Sequence, residues 1–203
     1  MSDPAAARGR DLVGAVLVGG AGRRMGGPKA LLEVDGRPMA AHVVRALHAA
    51  GCATVVAVGA RPGEAEALGV AGLPDDRPGE GPLAALATVL GSIPPEDRAR
   101  TTVVVAPCDV PDLSGAHLAA LVTGLAAAPP DIAVAVPGPP RQPLPAAWRA
   151  AAADVVDALV VAGQRRADAA FGSVGVVEVA LPAAATADVD APCDLDRRRM
   201  GDP

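Results

Sequence analysis

Residues 12–29 read LVGAVLVGGAGRRMGGPK, an apolar run that empties into glycines and cations. Leu12 to Val18 has the unbroken apolar character of a buried parallel strand. It stops at Gly19-Gly20-Ala21-Gly22, and Arg23, Arg24 and Lys29 follow, with Gly26-Gly27-Pro28 before the lysine. Glycines let backbone N–H groups turn toward an anion and let a ligand approach closely. The Arg and Lys side chains add charge that the backbone cannot supply. A strand opening into such a loop points to an α/β fold that holds a phosphate chain at this turn.

Two familiar phosphate motifs come near this loop and neither fits. The dinucleotide pattern G-x-G-x-x-G needs glycine where Met25 follows Gly20 and Gly22. The P-loop pattern needs Gly-Lys-Ser/Thr, whereas Pro28 follows Gly27 and Ala30 stands where the magnesium-binding hydroxyl belongs. Pro28 also lacks an N–H and disfavours helical geometry in the residue before it. The loop is therefore expected to stay extended across the phosphates, with no helix starting at Lys29.

The longer stretch LVGGAGRRMGGPKALLEVDGRPM resembles the signature loop of the nucleotidyltransferase family of the molybdenum cofactor guanylyltransferases. The matching positions are Leu17, Gly19, Gly20, Arg24, Met25, Gly26, Lys29, Leu31, Leu32, Gly36 and Pro38. Val18 departs from the family's usual alanine, and its two extra methyl groups are expected to narrow the nucleotide pocket. The resemblance extends over most of residues 12–195. It implies a Rossmann-like three-layer sandwich, mostly parallel, with helices on both faces, of the nucleotide-diphospho-sugar transferase type.

Composition sets the bounds. The 203 residues are 51% hydrophobic and 20% charged, enough for one α/β domain with a real core and inconsistent with disorder. We expect a flexible tail at 1–10 and a single domain over 11–203. No apolar run is long enough to span a membrane, and MSDPAAARGRD lacks the apolar core of a signal peptide, so a cytoplasmic, membrane-free protein is expected. The net charge of −5 disfavours binding to nucleic acid, and the aromatics are one Trp, one Phe and no Tyr, so stacking a base between rings is nearly excluded. Cys52, Cys108 and Cys193 are too few and too scattered for a disulfide framework or a metal motif.

Along the chain, 30–34 reads as a short extended piece and Met39–Ala50 as a helix stopped by Gly51. Thr54–Val58 reads as a strand, Arg61–Leu68 as a short helix, Gly72–Gly81 as a loop and Leu83–Leu90 as a helix launched by Gly81-Pro82. TTVVVA at 101–106 is a β-branched, uncharged strand that runs into Pro107-Cys108-Asp109-Val110-Pro111. An acid just past the carboxyl end of a central parallel strand stands where α/β sheets place ligand chemistry. Ser114 caps a helix over 116–126, and Ile132–Val136 reads as a strand. Pro143 and Pro145 suggest a loop and an edge strand near Trp148. The helix over 150–162 is expected to turn Val155, Leu159 and Ala162 to one face, and Val174–Leu181 reads as a strand.

The family resemblance assigns roles to particular residues. Leu17, Val18, Gly19, Gly20 and Gly22 line the nucleotide, with the N–H groups of 19–22 cradling phosphates. Arg24 and Lys29 stabilise the departing pyrophosphate and the α-phosphoryl oxygens, and are catalytic together with Asp109. Asp109, in the matched Cys108-Asp109-x-Pro111, holds Mg2+ with Asp190, and it also contacts the nucleotide. An acid ahead of Gly81-Pro82-Leu83 also contacts the nucleotide; Asp75 and Asp76 are both candidates, and Asp76 is preferred. Gln142, Pro143 and Leu144 match a segment beside the acceptor. Arg165 and Arg166, after Gly163, either meet a second anionic substrate or sit at a solvated helix start. Ala191 and Cys193 replace the family's Thr and Glu, which weakens the cap of the last helix.

The implied reaction transfers GMP from GTP to the terminal phosphate of molybdopterin or its molybdenum-loaded form and releases pyrophosphate. Partners would be other molybdenum cofactor biosynthesis proteins or molybdoenzymes. The family's asparagine-rich end of the second strand is replaced by Val58-Gly59-Ala60, which leaves cytidylyl or another nucleotidyl transfer open. A nicotinamide-dependent oxidoreductase is disfavoured by Met25 and the surplus of cations. A noncatalytic nucleotide-binding homologue is disfavoured by the retention of Lys29 and Asp109.

Overall fold

The computed structural model describes residues 11–19, 29–129, 132–189 and 194. The expected tail at 1–10 lies outside them. Strand β1 (Asp11–Leu17) is followed by a small hairpin, β2 (Glu33–Val34) and β3 (Arg37–Pro38). The chain continues through α1 (Met39–Ala49), β4 (Thr54–Val58), α2 (Glu64–Ala67), β5 (Ala71–Leu73), α3 (Pro82–Gly91) and β6 (Thr101–Pro107). It ends with α4 (Gly115–Ala127), β7 (Ile132–Pro137), β8 (Ala146–Arg149), α5 (Ala153–Val161) and β9 (Gly175–Val179).

A seven-stranded sheet runs in the order β5-β4-β1-β6-β8-β7-β9. The β5-β4-β1-β6 half is parallel throughout, β8 is antiparallel to both its neighbours, and β9 is parallel to β7. Successive residues of a strand face opposite sides of a sheet. Val104 and Ala106 accordingly join a core with Val43 and Leu47 of α1 and Leu118, Leu121 and Leu125 of α4. Val103 and Val105 join a second core with Leu83, Leu86 and Leu90 of α3 and Val156 and Val160 of α5. The three-layer, mostly parallel architecture expected from the sequence is the one observed.

Local chemistry accounts for the boundaries. Helix α1 stops where Gly51 takes φ +99°, with Cys52 N–H donating to the Leu47 carbonyl and Gly51 N–H to that of His48. Ser114 caps α4: its Oγ accepts from His117 N–H at 3.3 Å, and His117 Nδ1 accepts from Ser114 N–H at 3.2 Å. Arg149 closes the other end of α4 by donating to the carbonyls of Leu125 and Ala128.

Several expectations are corrected. Lys29–Leu31 forms one 3-10 turn, so a helical turn does start at Lys29. The 3-10 turn needs only local i→i+3 bonding, which Leu32 N–H supplies by donating to the Lys29 carbonyl. The loop expected over 72–81 begins as strand, since Gly72 and Leu73 belong to β5. The strand carrying Trp148 is interior, lying between β6 and β7. Pro143 and Pro145 precede it and donate to no ladder. Helix α5 buries Ala153, Val156 and Val160, while Val155 is 40% exposed and Ala162 is exposed, so the packed face is rotated by about one residue from that expected. Among the described residues no helix is long and apolar enough to cross a membrane.

Candidate active site

Because β5, β4, β1 and β6 are parallel, their carboxyl ends share one edge. The chain steps from β1 to β4 and β5 on one side, then returns to β6 on the other. The order therefore reverses between β1 and β6, which is where open α/β sheets place their ligands. Lys29, at the end of the glycine loop after β1, and Asp109, just after β6, meet over this point. Lys29 Nζ donates to Asp109 Oδ2 at 2.6 Å, and the two side chains are 16% and 21% exposed. A charge-assisted bond this short, half out of water, fixes both groups in place.

A third segment reaches the same acid. Val189 N–H donates to the Asp109 carbonyl at 2.9 Å, and Val189 is buried against Val34 and Met39. Val189 immediately precedes Asp190, the second expected metal ligand, which itself lies outside the described residues. So do Gly20, Gly22 and Arg24. Among the described residues no group of three or more His, Cys, Asp or Glu side chains could hold a metal. Mg2+ bound with nucleotide needs only one or two carboxylates beside phosphate oxygens and water, and Asp109 fits that need.

The floor of the mouth is a pair of glycines. Val18 N–H and Gly19 N–H both donate to the Val58 carbonyl, at 3.1 and 3.2 Å. The expectation that the Gly19 N–H cradles a phosphate is thus corrected, because the ladder with β4 uses it. What glycine provides here is close approach. Gly59 takes φ +69°, and a Cβ on it would stand 3.2 Å from Gly19 Cα and 3.6 Å from Asp75 Cβ. The Val58-Gly59-Ala60 departure noted in the sequence is therefore where the second strand presses on the glycine loop. Leu17 and Val18 are both 8% exposed, on opposite faces of the sheet. Val18 spends its extra methyls in the α1-side core, so the expected narrowing of the pocket is not observed.

The two candidate acids ahead of α3 separate clearly. Asp75 is half-buried beside Gly59; its Oδ1 accepts from Arg77 N–H at 3.0 Å and from the Thr88 hydroxyl at 3.4 Å. Asp76, preferred from the sequence, is exposed and lines a cleft of about 270 Å³ between α3 and α5, with Arg77, Thr88, Arg98, Asp154 and Asp157. The Gly81-Pro82-Leu83 motif has a packing reason. Gly81 sits at φ +92°, a Cβ there would lie 2.7 Å from the Arg165 carbonyl, and that carbonyl accepts from Leu83 N–H. Arg165 is thereby placed at the start of α3, with its guanidinium 3.5 Å from Glu80 and donating to the carbonyls of Val160 and Gln164. Arg166 is exposed and pairs with Asp168 at 2.8 Å.

Gln142, Pro143 and Leu144 lie on the β7–β8 connection, which rises from the same edge because β7 runs in the direction of β6. That connection is pinned at three points. Gln142 N–H donates to the Pro137 carbonyl, Gly138 N–H to that of Val179, and Arg141 pairs with Glu178 at 2.8 Å. The three histidines are occupied elsewhere. His42 Nε2 is 2.8 Å from the Val34 carbonyl, His48 Nδ1 is 3.1 Å from that of Cys52, and His117 belongs to the α4 cap. Burial pushes the Cys108 thiol up to about 12, and the adjacent Asp109 carboxylate adds to the effect while Lys29 opposes it. A thiol held protonated in this way is core, not nucleophile.

Set beside known proteins, residues 14–177 match the family described as the MobA-like NTP transferase domain. A molybdenum cofactor guanylyltransferase of Rhizobium meliloti is 32% identical over 157 residues, covering 77% of this chain and 72% of that protein. One of Xanthomonas euvesicatoria is 41% identical over 113 residues, covering 56% of this chain and 54% of that protein. In solved structures, molybdopterin-guanine dinucleotide biosynthesis protein A from Archaeoglobus fulgidus superposes with a TM-score of 0.74. It is 23% identical and the match covers 93% of this chain and 97% of that one, a likeness of fold.

Proposed function

Since the chain belongs to the family of MobA-like NTP transferase domains, we propose that it is a guanylyltransferase acting in molybdenum cofactor synthesis, moving GMP from GTP to the terminal phosphate of molybdopterin. The observation that carries this is the Lys29–Asp109 pair at the switch point between β1 and β6, 2.6 Å apart at the mouth of the glycine loop.

In this reading the triphosphate lies along the loop after β1. The N–H groups of Gly20 and Gly22 face its phosphates, and Arg24 neutralises the departing pyrophosphate. Gly19 and Gly59 let the nucleotide approach the sheet edge. Asp75, standing beside them, takes the nucleotide-contacting role in place of Asp76. Lys29 is held by Asp109 where it can meet negative charge growing on the α-phosphoryl oxygens. The acceptor phosphate forms a new P–O bond to the α-phosphorus as the bridge to the β-phosphorus breaks, and pyrophosphate leaves. A phosphate monoester is largely ionised at neutral pH, its second pKa being about 6, so the attack needs no general base. The engagement of all three histidines in structural bonds agrees with that. Asp109 and Asp190 would hold a Mg2+, which when bound supplies charge neutralisation at the α-phosphate. Gln142, Pro143 and Leu144, with Arg165 at the start of α3, would face the acceptor. The reaction would take place in the cytoplasm, with cofactor-synthesis proteins or molybdoenzymes as partners.

Thermal stabilisation by GTP, CTP, ATP and NAD, each with and without Mg2+, tests this reading. A ligand at a hundred times its dissociation constant adds about 2.7 kcal/mol to the folded state. A Mg2+-dependent rise with GTP is expected; a rise with CTP alone would move the function to cytidylyl transfer, and a rise with NAD alone would overturn it.

A further inference from the structure

Thr88 is a lone hydroxyl in an otherwise apolar helix, Pro82-Leu-Ala-Ala-Leu-Ala-Thr-Val-Leu-Gly91, and it is only 6% exposed. Isolated threonines in apolar helices often return their hydroxyl to a carbonyl one turn back. Here the hydroxyl serves the preceding loop instead. Thr88 Oγ1 donates to Asp75 Oδ1 at 3.4 Å and accepts from Asp76 N–H at 3.3 Å. Arg77 N–H donates to the same Asp75 oxygen at 3.0 Å, and Arg77 is itself tied to Asp157 of α5 at 2.9 Å. One carboxylate oxygen of Asp75 is thus held by two donors. Among the described residues Oδ2 has no hydrogen-bond partner, and the side chain springs from a position 3.6 Å from where a Cβ on Gly59 would stand. A carboxylate fixed through one oxygen, with its Cβ beside Gly59 at the mouth, keeps its second oxygen able to accept from a ligand N–H or O–H.

We propose that Thr88 is a positioning residue for nucleotide binding, acting through Asp75: it sets the carboxylate so that Oδ2 faces a donor of the nucleoside. This rests on the nucleotidyltransferase reading above. No contact between Thr88 and nucleotide is implied. The hydroxyl works from beneath, in the wall that α3 presents to the loop.

The test is a double-mutant cycle of nucleotide affinity, read by calorimetric titration with Mg2+ and whichever of GTP, CTP and ATP the wild type binds. Thr88→Val keeps the shape and removes the hydroxyl. A hydrogen bond contributes about 0.5–1.5 kcal/mol, and one as long as 3.4 Å belongs at the weak end, so dissociation constants should rise about twofold. Thr88→Ser should restore wild-type affinity. Asp75→Ala should weaken binding by itself, and adding Thr88→Val to it should cost nothing more, since the hydroxyl then has no acceptor to hold. The melting temperature of each variant is measured alongside; a merely structural threonine would lower it without touching affinity. Wild type binding nucleotide while Thr88→Val binds equally well would overturn the positioning role and leave the function standing. Additive losses in the double variant would overturn it too. A wild type that binds none of the three nucleotides would overturn the function reading, and the inference with it.

Discussion

Gly59→Ala is the substitution whose outcome the geometry specifies most fully. Gly59 takes φ +69°, where an L-residue costs about 1–2 kcal/mol. For a domain of this size each 1 kcal/mol moves Tm by about 2–4 °C, so the backbone term alone predicts a fall of roughly 2–8 °C. Gly69 provides the control. It has the same φ of +69°, yet a Cβ there would meet nothing within 4 Å. Gly69→Ala should therefore show the backbone term by itself and leave nucleotide handling intact. At Gly59 the new methyl would stand 3.2 Å from Gly19 Cα and 3.5 Å from Gly19 N. Both neighbours are main chain, so the glycine loop itself must yield, by about 0.3 Å. Misplacing reacting groups by about 1 Å costs on the order of a hundredfold in rate, which scaled logarithmically gives about fourfold for such a shift. The assay is melting of both variants by differential scanning calorimetry, with kcat/KM for pyrophosphate release from GTP and molybdopterin. We expect Gly59→Ala to melt below Gly69→Ala and to lose activity that Gly69→Ala keeps. Equal melting temperatures with equal activities would refute the idea that Gly59 is glycine because the loop presses on it.

Ser114→Ala removes an N-cap engaged in reciprocal bonding with His117 and should cost about 1 kcal/mol, seen as a lower midpoint in urea with unchanged slope. The buried thiols should make the protein sensitive to strong alkali. Burial raises Cys52 to about 11 and Cys108 to about 12, above a thiol's ordinary 9.0, so the folded state keeps protons that the unfolded state releases. Their contribution is fully present below about pH 9 and is lost as pH rises toward 11–12. Melting followed from pH 8 to 10.5 should show the loss shrinking in a Cys108→Ala variant; parallel curves for the two proteins would contradict it.

Much of the fold was legible because local signals and the global arrangement agree. The unbroken apolar runs at 12–18 and 101–106 mark the paired central strands β1 and β6, and Gly51 and Ser114 mark helix ends through backbone chemistry that is entirely local. Lys29 and Asp109 were each legible through motifs on either side of the switch point, but their 2.6 Å contact joins residues eighty positions apart and was not. Where the sequence misled, the deciding contact was distant. Trp148 sits in an interior strand although prolines precede it, because the prolines end before the ladder begins. Asp76 was preferred to Asp75, since nothing nearby in the chain reveals that Thr88, thirteen residues on, holds the Asp75 carboxylate. The Gly19 N–H looked free for phosphate until β4 was placed beside it.

The central claim is that Lys29, held by Asp109 over the sheet edge, stabilises charge in nucleotidyl transfer. The direct measurement is pyrophosphate release from Mg2+ and GTP with molybdopterin, comparing wild type with Lys29→Ala and Asp109→Ala, each checked for a native melting transition. Loss of one preorganised charge-stabilising group typically costs about 10²–10³ in kcat, and a drop of that size is predicted for Lys29→Ala, with Asp109→Ala at least as impaired. Folded variants that release pyrophosphate at the wild-type rate would contradict the claim.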